Sequence, residues 1–357
     1  MQVGLIGLPQ SGKTTIFNAL TRLNLDVTGY TQDKIESHVG TVKIPDARID
    51  YLVSVYNPKK TTYAEIVFTD IGCKKRDDGH SEFDLDTMSK VDMLALIVCG
   101  FTSDTVVHPL GDANLIRDID YLYSELILAD LTLVETRLER LEKDQKKAKK
   151  PDPKEIEHLH RFKEHLEAEK FLSALEINEE TDRMFRGYQF LTLKPVMVII
   201  NTGEDESDSL SIAEVETQLQ RENKCFLSFC GNLEMEISQL NDEDKELFLE
   251  ELDIAKPALN RFITTSFSLL NKIVFFTVGE DEVRAWEVEH NIPAKNAAGK
   301  IHSDIERGFI RAEVLAYKDF VDCDNSFPTA RSKGLVRLEG KEYQVQDGDI
   351  ISYRFNV

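Results

Sequence analysis

An α/β fold, interrupted by a long helical arm and closed by a smaller α+β domain, is what this 357-residue sequence predicts, on three observations. Continuous apolar runs at Val3 to Ile6, Met93 to Cys99 and Pro195 to Ile200 have the length and density of buried parallel strands. Between the last two, from about Asp112 to Phe171, apolar residues recur at helical spacing among Glu, Arg and Lys. From Lys272 onward, short strand-like runs alternate with turn signals.

The first run leads into Gly7-Leu8-Pro9-Gln10-Ser11-Gly12-Lys13-Thr14-Thr15, and helical spacing follows through Ile16, Phe17, Ala19 and Leu20. The order is strand, glycine-rich turn, helix, with G-x-x-x-x-G-K-[ST] spanning the turn. Glycines at both ends let the backbone wind tightly, so that successive amides and the helix N-terminus point at phosphate oxygens. A chance glycine turn would lack the complete motif between the right flanks. Leu8 to Thr15 are therefore candidate binding residues, with Lys13 reaching the β- and γ-phosphates and the Thr14 hydroxyl ligating Mg²⁺.

Leu25 to Val39 is polar and irregular, the position of a first switch loop in a nucleotide switch protein. Gly40 to Ile44 alternates like a strand, and Asp46 can cap a short helix through Ile49, Leu52 and Val53. The next strand, Tyr63 to Thr69, delivers Asp70, where a carboxylate beside a phosphate loop helps hold Mg²⁺. Lys13 and Asp70 are the candidate catalytic residues, and Thr14 and Asp70 the candidate metal ligands. Lys74 to Lys90 is charged and poor in apolar residues, which predicts a mobile second switch.

The helical pattern through Leu115, Ile119, Leu122, Leu126, Leu131, Val134, Leu138 and Leu141 ends at Pro151-Asp152-Pro153. A second helix follows through Ile156, Leu159, Phe162, Leu166 and Phe171, predicting an antiparallel coiled-coil hairpin over 111–189. Its tip, Lys143 to Lys150, is the densest basic cluster; it reads either as helix-end cations facing the dipole or as a contact for an RNA backbone. Because the strand pattern resumes at Pro195, the arm is an insertion into one domain formed by 1–110 and 190–271. Residues 272–357 form the separate α+β domain, closed by the turn Asp347-Gly348-Asp349 and the strand Ile350 to Phe355.

A formal charge of −21 excludes nucleic-acid binding over the whole surface. Five scattered cysteines without paired spacing indicate neither a disulfide framework nor zinc. No basic leader and no window of about 20 apolar residues occurs, so a cytoplasmic protein without membrane contact is expected. The histidines offer no catalytic triad; His158, His160 and His165 read as solvated arm residues. Cys73 lies beside Lys74, Lys75 and Arg76, which could lower its pKa, although an ordinary surface thiol is the simpler reading.

With these landmarks in place the chain resembles the YchF-type, Obg-like ATPases of the translation-factor-related GTPase class. The likeness runs nearly end to end: the phosphate loop, Glu125 to Leu131, Asn201 to Glu204, Glu234 to Ile237, Glu306 to Val314 and Val345 to Val357. It implies a P-loop G-domain, the inserted arm and a ubiquitin-like TGS domain from Lys272. It also implies ATP with Mg²⁺, and docking on a ribosome or other RNA-protein partner through the arm tip and TGS domain. GTPases read guanine through Asn-Lys-x-Asp; here Asn201-Thr202-Gly203-Glu204 places a longer carboxylate in the fourth position, and members with Asn-x-x-Glu resemble ATP binders. Phe229, Cys230 and Gly231 stand where a backbone N–H of the family meets the base.

Two stretches depart from the family. Asp-Ile-Ala-Gly-Leu-Val is here Asp70-Ile71-Gly72-Cys73-Lys74-Lys75, so the glycine that senses the γ-phosphate is shifted or replaced. Cys-Thr-Ile-Glu-Pro-Asn is here Asp33-Lys34-Ile35-Glu36-Ser37-His38, which puts Lys34 in place of the threonine that closes over Mg²⁺. Slow intrinsic hydrolysis is expected. The alternatives are a nucleotide-binding scaffold without turnover and a GTPase whose Glu204 still accepts guanine.

Overall fold

The computed structural model describes residues 1–25, 37–75, 81–102, 108–111, 114–147, 150–204, 209–252 and 254–356. The chain divides into two compact units, one of Gln2–Gly40 with Val67–Arg261, the other of Met1, Thr41–Ile66 and Phe262–Val357.

Strand β1 (Gln2–Gly7) turns into helix α1 (Lys13–Thr21). Next come β2 (His38–Lys43), α2 (Ala47–Tyr56), β3 (Lys60–Thr62) and β4 (Glu65–Asp70). Asp46 caps α2 as expected, its carboxylate accepting from the Arg48 N–H. Within the stretch expected to be a mobile second switch, β5 (Cys73–Lys75) pairs with β6 (Ser81–Phe83) and helix α3 (Leu85–Lys90) follows, while positions 76–80 lie outside the described residues. Few apolar residues suffice there, because Phe83, Met88 and Val91 are all buried in one core. After β7 (Met93–Gly100) the arm begins with α4 (Leu115–Lys146) and α5 (Pro153–Glu167), followed by α6 (Glu179–Phe185). The chain then runs through β8 (Val196–Thr202), α7 (Ser209–Arg221), β9 (Cys225–Phe229), α8 (Gly231–Gln239), α9 (Asp242–Glu251) and α10 (Ala258–Leu269).

One six-stranded sheet has the order β2-β4-β1-β7-β8-β9, and β4, β1, β7, β8 and β9 pair in parallel. All eight residues of β7 are buried, which accounts for their unbroken apolar run. Leu115, Ile119, Leu122 and Leu126 of α4 share a core with Leu94, Leu96 and Val98 of that strand.

Further along, α4 and α5 run antiparallel, held by Arg137 to Glu155 at 2.8 Å and Lys163 to Glu135 at 2.7 Å. Leu138, Leu141, Leu159 and Phe162 fill the seam. Helix α5 stops at Glu167, short of the expected Phe171, because Glu169 turns left-handed and swings the Phe171 ring to 4.9 Å from Tyr123. Phe162, Phe185, Tyr188 and Phe190 then build an aromatic core. Two of the three arm histidines belong to this packing: the His158 ring lies against Phe185, and His165 Nε2 sits 3.0 Å from the Phe171 carbonyl, while His160 is exposed. Buried Asp130 ties the arm back, accepting from Leu191 N–H, Thr192 N–H and the Thr192 hydroxyl at 2.9, 2.8 and 2.6 Å. Of the basic tip, Ala148 and Lys149 lie outside the described residues.

The second unit contains β10 (Lys272–Thr277), β11 (Glu282–Glu289), α11 (Ala294–Ile301), α12 (Ser303–Arg307) and β12 (Phe309–Ala316). It ends with α13 (Tyr317–Asp322), α14 (Phe327–Ser332), β13 (Arg337–Glu339) and β14 (Asp349–Phe355). Its sheet runs β13-β12-β14-β10-β11-β3, so an edge strand comes from the N-terminal part of the chain. Lys60, Thr61 and Thr62 pair in parallel with Glu282, Val283 and Arg284. Helix α2 joins the same unit: Arg48 donates to Asp347 at 2.6 Å with its guanidinium 5.2 Å from the Phe276 ring centre, and the Tyr51 hydroxyl bonds Asn325 at 2.9 Å.

Candidate nucleotide-binding site

Four segments meet at the C-terminal ends of parallel strands β1, β4, β8 and β9, the edge where open α/β sheets bind ligands. The turn after β1 is closed by a hydrogen bond from Ser11 N–H to the Leu8 carbonyl at 3.1 Å. Gln10 and Gly12 are left-handed at φ 67° and 81°, and Lys13 opens α1. Gly12 is required twice over: its φ favours glycine, and a Cβ there would stand 2.0 Å from Asn201 Nδ2. Leu8 is buried, Pro9, Thr14 and Thr15 are half-buried, and Gln10 is exposed.

Lys13 and Asp70 are both buried and form an ion pair, while the Thr14 hydroxyl donates to the other Asp70 oxygen at 3.0 Å. One carboxylate therefore gathers both side chains that the motif assigns to phosphate and metal. Burial pulls the Lys13 ammonium down to about 8, so it stays cationic at neutral pH beside Asp70. A hydroxyl and a carboxylate oxygen side by side form a hard donor pair that suits Mg²⁺. Among the described residues no group of three His, Cys, Asp or Glu could hold a metal by itself, so a cation here would need phosphate oxygens or water as further ligands.

On the far side of the turn, the Asn201 amide donates to the Ser11 carbonyl at 3.0 Å and its oxygen accepts from the Gly231 N–H at 2.9 Å. Asn201 is thus engaged with the chain itself, as a buried strut between the phosphate loop and the first residue of α8. A side chain at Gly231 would meet Asn201 Oδ1 at 2.9 Å. Glu204 is exposed and close enough to add to the upward shift of the Cys230 thiol, which burial dominates. Behind this loop Arg261 donates to the Ser228 carbonyl at 3.2 Å and pairs with buried Glu234 at 3.5 Å. The wall made by Arg261 and Glu234 was not legible as such, since Glu234 stood out only within a family landmark.

The first-switch positions 26–36, Lys34 included, lie outside the described residues, as do Arg76 and His80. Ser37 is described; its hydroxyl accepts from the Gly72 N–H at 3.1 Å and donates to Asp84 at 3.3 Å. The Cys73 thiol is pushed up to about 11 by burial, the reverse of the lowering that its basic neighbours suggested. Among the described residues no helix is long and apolar enough to cross a membrane.

The YchF GTPase C-terminal family, described as a protein of unknown function, matches residues 272–356, and the family described as ferrous iron transport protein B matches residues 1–82. The ribosome-binding ATPase YchF of Bacillus subtilis is 40% identical, with 100% of each chain covered. Its namesake from Haemophilus influenzae is 38% identical and that from Escherichia coli O157:H7 35%, each with 99% of both chains covered. A solved structure, that of the Schizosaccharomyces pombe YchF GTPase, shares the fold with a TM-score of 0.79 at 24% identity, covering 99% of this chain and 97% of that one. On the full-length identity to these bacterial relatives, the chain belongs to the YchF family.

Proposed function

We propose that this protein is a cytoplasmic ATP-dependent switch that hydrolyses ATP slowly and docks on the ribosome. The observation that carries the nucleotide half is the convergence of Lys13 and Thr14 on Asp70 at the mouth of the glycine turn. Full-length relatives named ribosome-binding ATPases support the docking half. In this reading the backbone from Leu8 to Thr15 cradles the phosphates and Lys13 reaches the β- and γ-phosphates. Thr14 and Asp70 would hold Mg²⁺, which supplies charge neutralisation between those phosphates. Asn201 sets the distance between the phosphate loop and the Cys230-Gly231 backbone, and Glu204 lies at the purine edge. Residues 2–40 and 67–110 with 190–261 handle nucleotide; the arm over 111–189, with its lysine tip, and the unit of residues 41–66 and 262–357 present the docking surface.

A second reading is GTP specificity, with Glu204 still accepting guanine. Competition at equal concentrations of ATP and GTP separates the two, and ATP is expected to prevail because Glu204 replaces the carboxylate that grips guanine. Single-turnover phosphate release is expected to be slow, since no glutamine follows Asp70-Ile71-Gly72 to orient water. Failure of the purified chain to co-sediment with ribosomes in any nucleotide state would remove the docking half.

A further inference from the structure

The second unit holds a cavity of about 590 Å³, within the range of about 300–1,000 Å³ usual for ligand pockets. Its floor is the sheet at Val278 and Ile350; one wall is the end of α2, with Val55 and Tyr56, and the other is the start of α14, with Phe327 and Pro328. Fully buried Phe320 braces both rings: it stacks on Tyr56 with centres 6.0 Å apart and meets Phe327 at 5.6 Å. The turn into α14 lines the cavity at Asn325. It holds Asp324 and Asn325 in succession at φ 52° and 59°, a left-handed pair without glycine of the kind that concentrates at ligand sites. Polar and charged groups follow along the same sheet face. Glu313 of β12 and Ser352 of β14 lie opposite each other in the lining, and two residues away Arg311 and Arg354 lie opposite each other, both exposed. Like charges in that arrangement repel, and nothing in the fold requires them there. Arg331 of α14 and Arg354 both pair with Glu313, Arg331 at 3.1 Å. Three guanidiniums therefore stand against one carboxylate, on a chain whose formal charge is −21.

Resting on the ribosome-docking reading above, we propose that this groove takes one unpaired nucleotide of an RNA strand. The base enters among Tyr56, Phe327 and Pro328, and the flanking phosphates meet Arg311, Arg331 and Arg354. An unpaired base offers a flat face that stacks on aromatic rings and guanidinium planes, and edges that hydrogen-bond; the Asn325 amide and the Ser352 hydroxyl are at hand for those edges. Phosphate oxygens accept two parallel N–H bonds from a guanidinium, and they supply the negative charge that a facing pair of arginines lacks. A duplex keeps its base faces stacked inside, so it offers the arginines phosphate but leaves the apolar cavity unfilled. A run of acidic side chains likewise answers the arginines and brings no flat ring to the aromatic wall. Glu313 tempers the site: by holding two of the guanidiniums it keeps them in place for the strand and limits how tightly they grip it.

The test is fluorescence anisotropy of a short labelled single-stranded RNA on the full chain, in a Lys146→Glu, Lys147→Glu background that silences the helix-end lysines of the arm. Arg311→Ala with Arg354→Ala is expected to weaken binding about tenfold and to flatten the slope of log affinity against log salt by about 0.7 per arginine. Phe327→Ala is expected to weaken it about 5- to 100-fold at unchanged salt slope, the size of one stacked base. Glu313→Gln is expected to tighten binding and steepen the slope. Melting curves identify folded variants; should Phe327→Ala not fold, Phe327→Leu takes its place with the same expectation. Equal affinity of the folded arginine variant and its parent, duplex RNA of the same sequence bound as tightly as the single strand, or polyglutamate competing as well as unlabelled RNA overturns the proposal. Ribosome co-sedimentation separates it from the reading beneath. An arginine variant that co-sediments like the wild type removes the groove and spares the docking, whereas a wild type that never co-sediments removes the docking itself.

Discussion

Asn201 and Ser11, 190 residues apart, are joined by a single buried hydrogen bond of 3.0 Å from the asparagine amide to the serine carbonyl. The same side chain accepts from Gly231, so one asparagine spaces three loops. Asn201→Ala would leave the Ser11 carbonyl and the Gly231 N–H unpartnered, at a cost of about 2–3 kcal/mol in stability. Urea unfolding should show that loss together with weaker nucleotide binding; weaker binding at undiminished stability would mean that the residue serves the ligand alone.

The buried Lys13 ammonium makes nucleotide binding pH-dependent. With a pKa pulled down to about 8, the side chain is cationic below that value and loses its proton as pH rises through it. Apparent ATP affinity should therefore hold near neutral pH and fall by up to about tenfold between pH 8 and 9, accompanied by proton uptake on binding. Lys13→Ala should bind about 10- to 100-fold more weakly, as expected for one charged hydrogen bond, and lose that pH dependence. A wild-type affinity flat to pH 9 would contradict this.

Asp130 is an anchor of the arm rather than part of the ligand site. Its carboxylate serves three donors on Leu191 and Thr192, and burial pushes its pKa above the ordinary value. Replacing it with alanine strands those donors, and about 2–4 kcal/mol of stability should be lost. Calorimetric melting of Asp130→Ala is the direct check, with ATP affinity of the folded fraction expected to stay at the wild-type level.

Cys73 should be a sluggish thiol. At a pKa of about 11 its thiolate fraction at pH 7 is about a hundredfold below that of an unshifted cysteine at 9.0. Alkylation by iodoacetamide, followed by peptide mass spectrometry, should trail that of free cysteine by roughly that factor. Rapid labelling at neutral pH would show the side chain to be exposed.

What could be read in advance followed the range of the interactions. The phosphate loop was legible because its parts are contiguous: Gly7, Gly12, Lys13 and Thr14 act within one turn. Asp70 was legible because strand periodicity ends on it. The strut at Asn201 was not, since its partners Ser11 and Gly231 lie 190 and 30 residues away. The pairing of β5 with β6 and the helix after it were not legible, because three widely spaced residues, Phe83, Met88 and Val91, do the burying. Grouping of α2 with the C-terminal sheet depends on contacts such as Arg48 with Asp347, 299 positions apart, on which local pattern is silent.

Borrowing strand β3 and helix α2 from the front of the gene means that the C-terminal domain is no portable cassette. A fragment begun at Lys272 would carry a bare β11 edge, and Phe276 without the guanidinium that covers it. Such a piece invites strand-to-strand clumping in the test tube. By the same token, recombination that moved this tail onto another protein would have to bring residues 41–66 along, a two-part transfer that simple end-joining of genes does not accomplish.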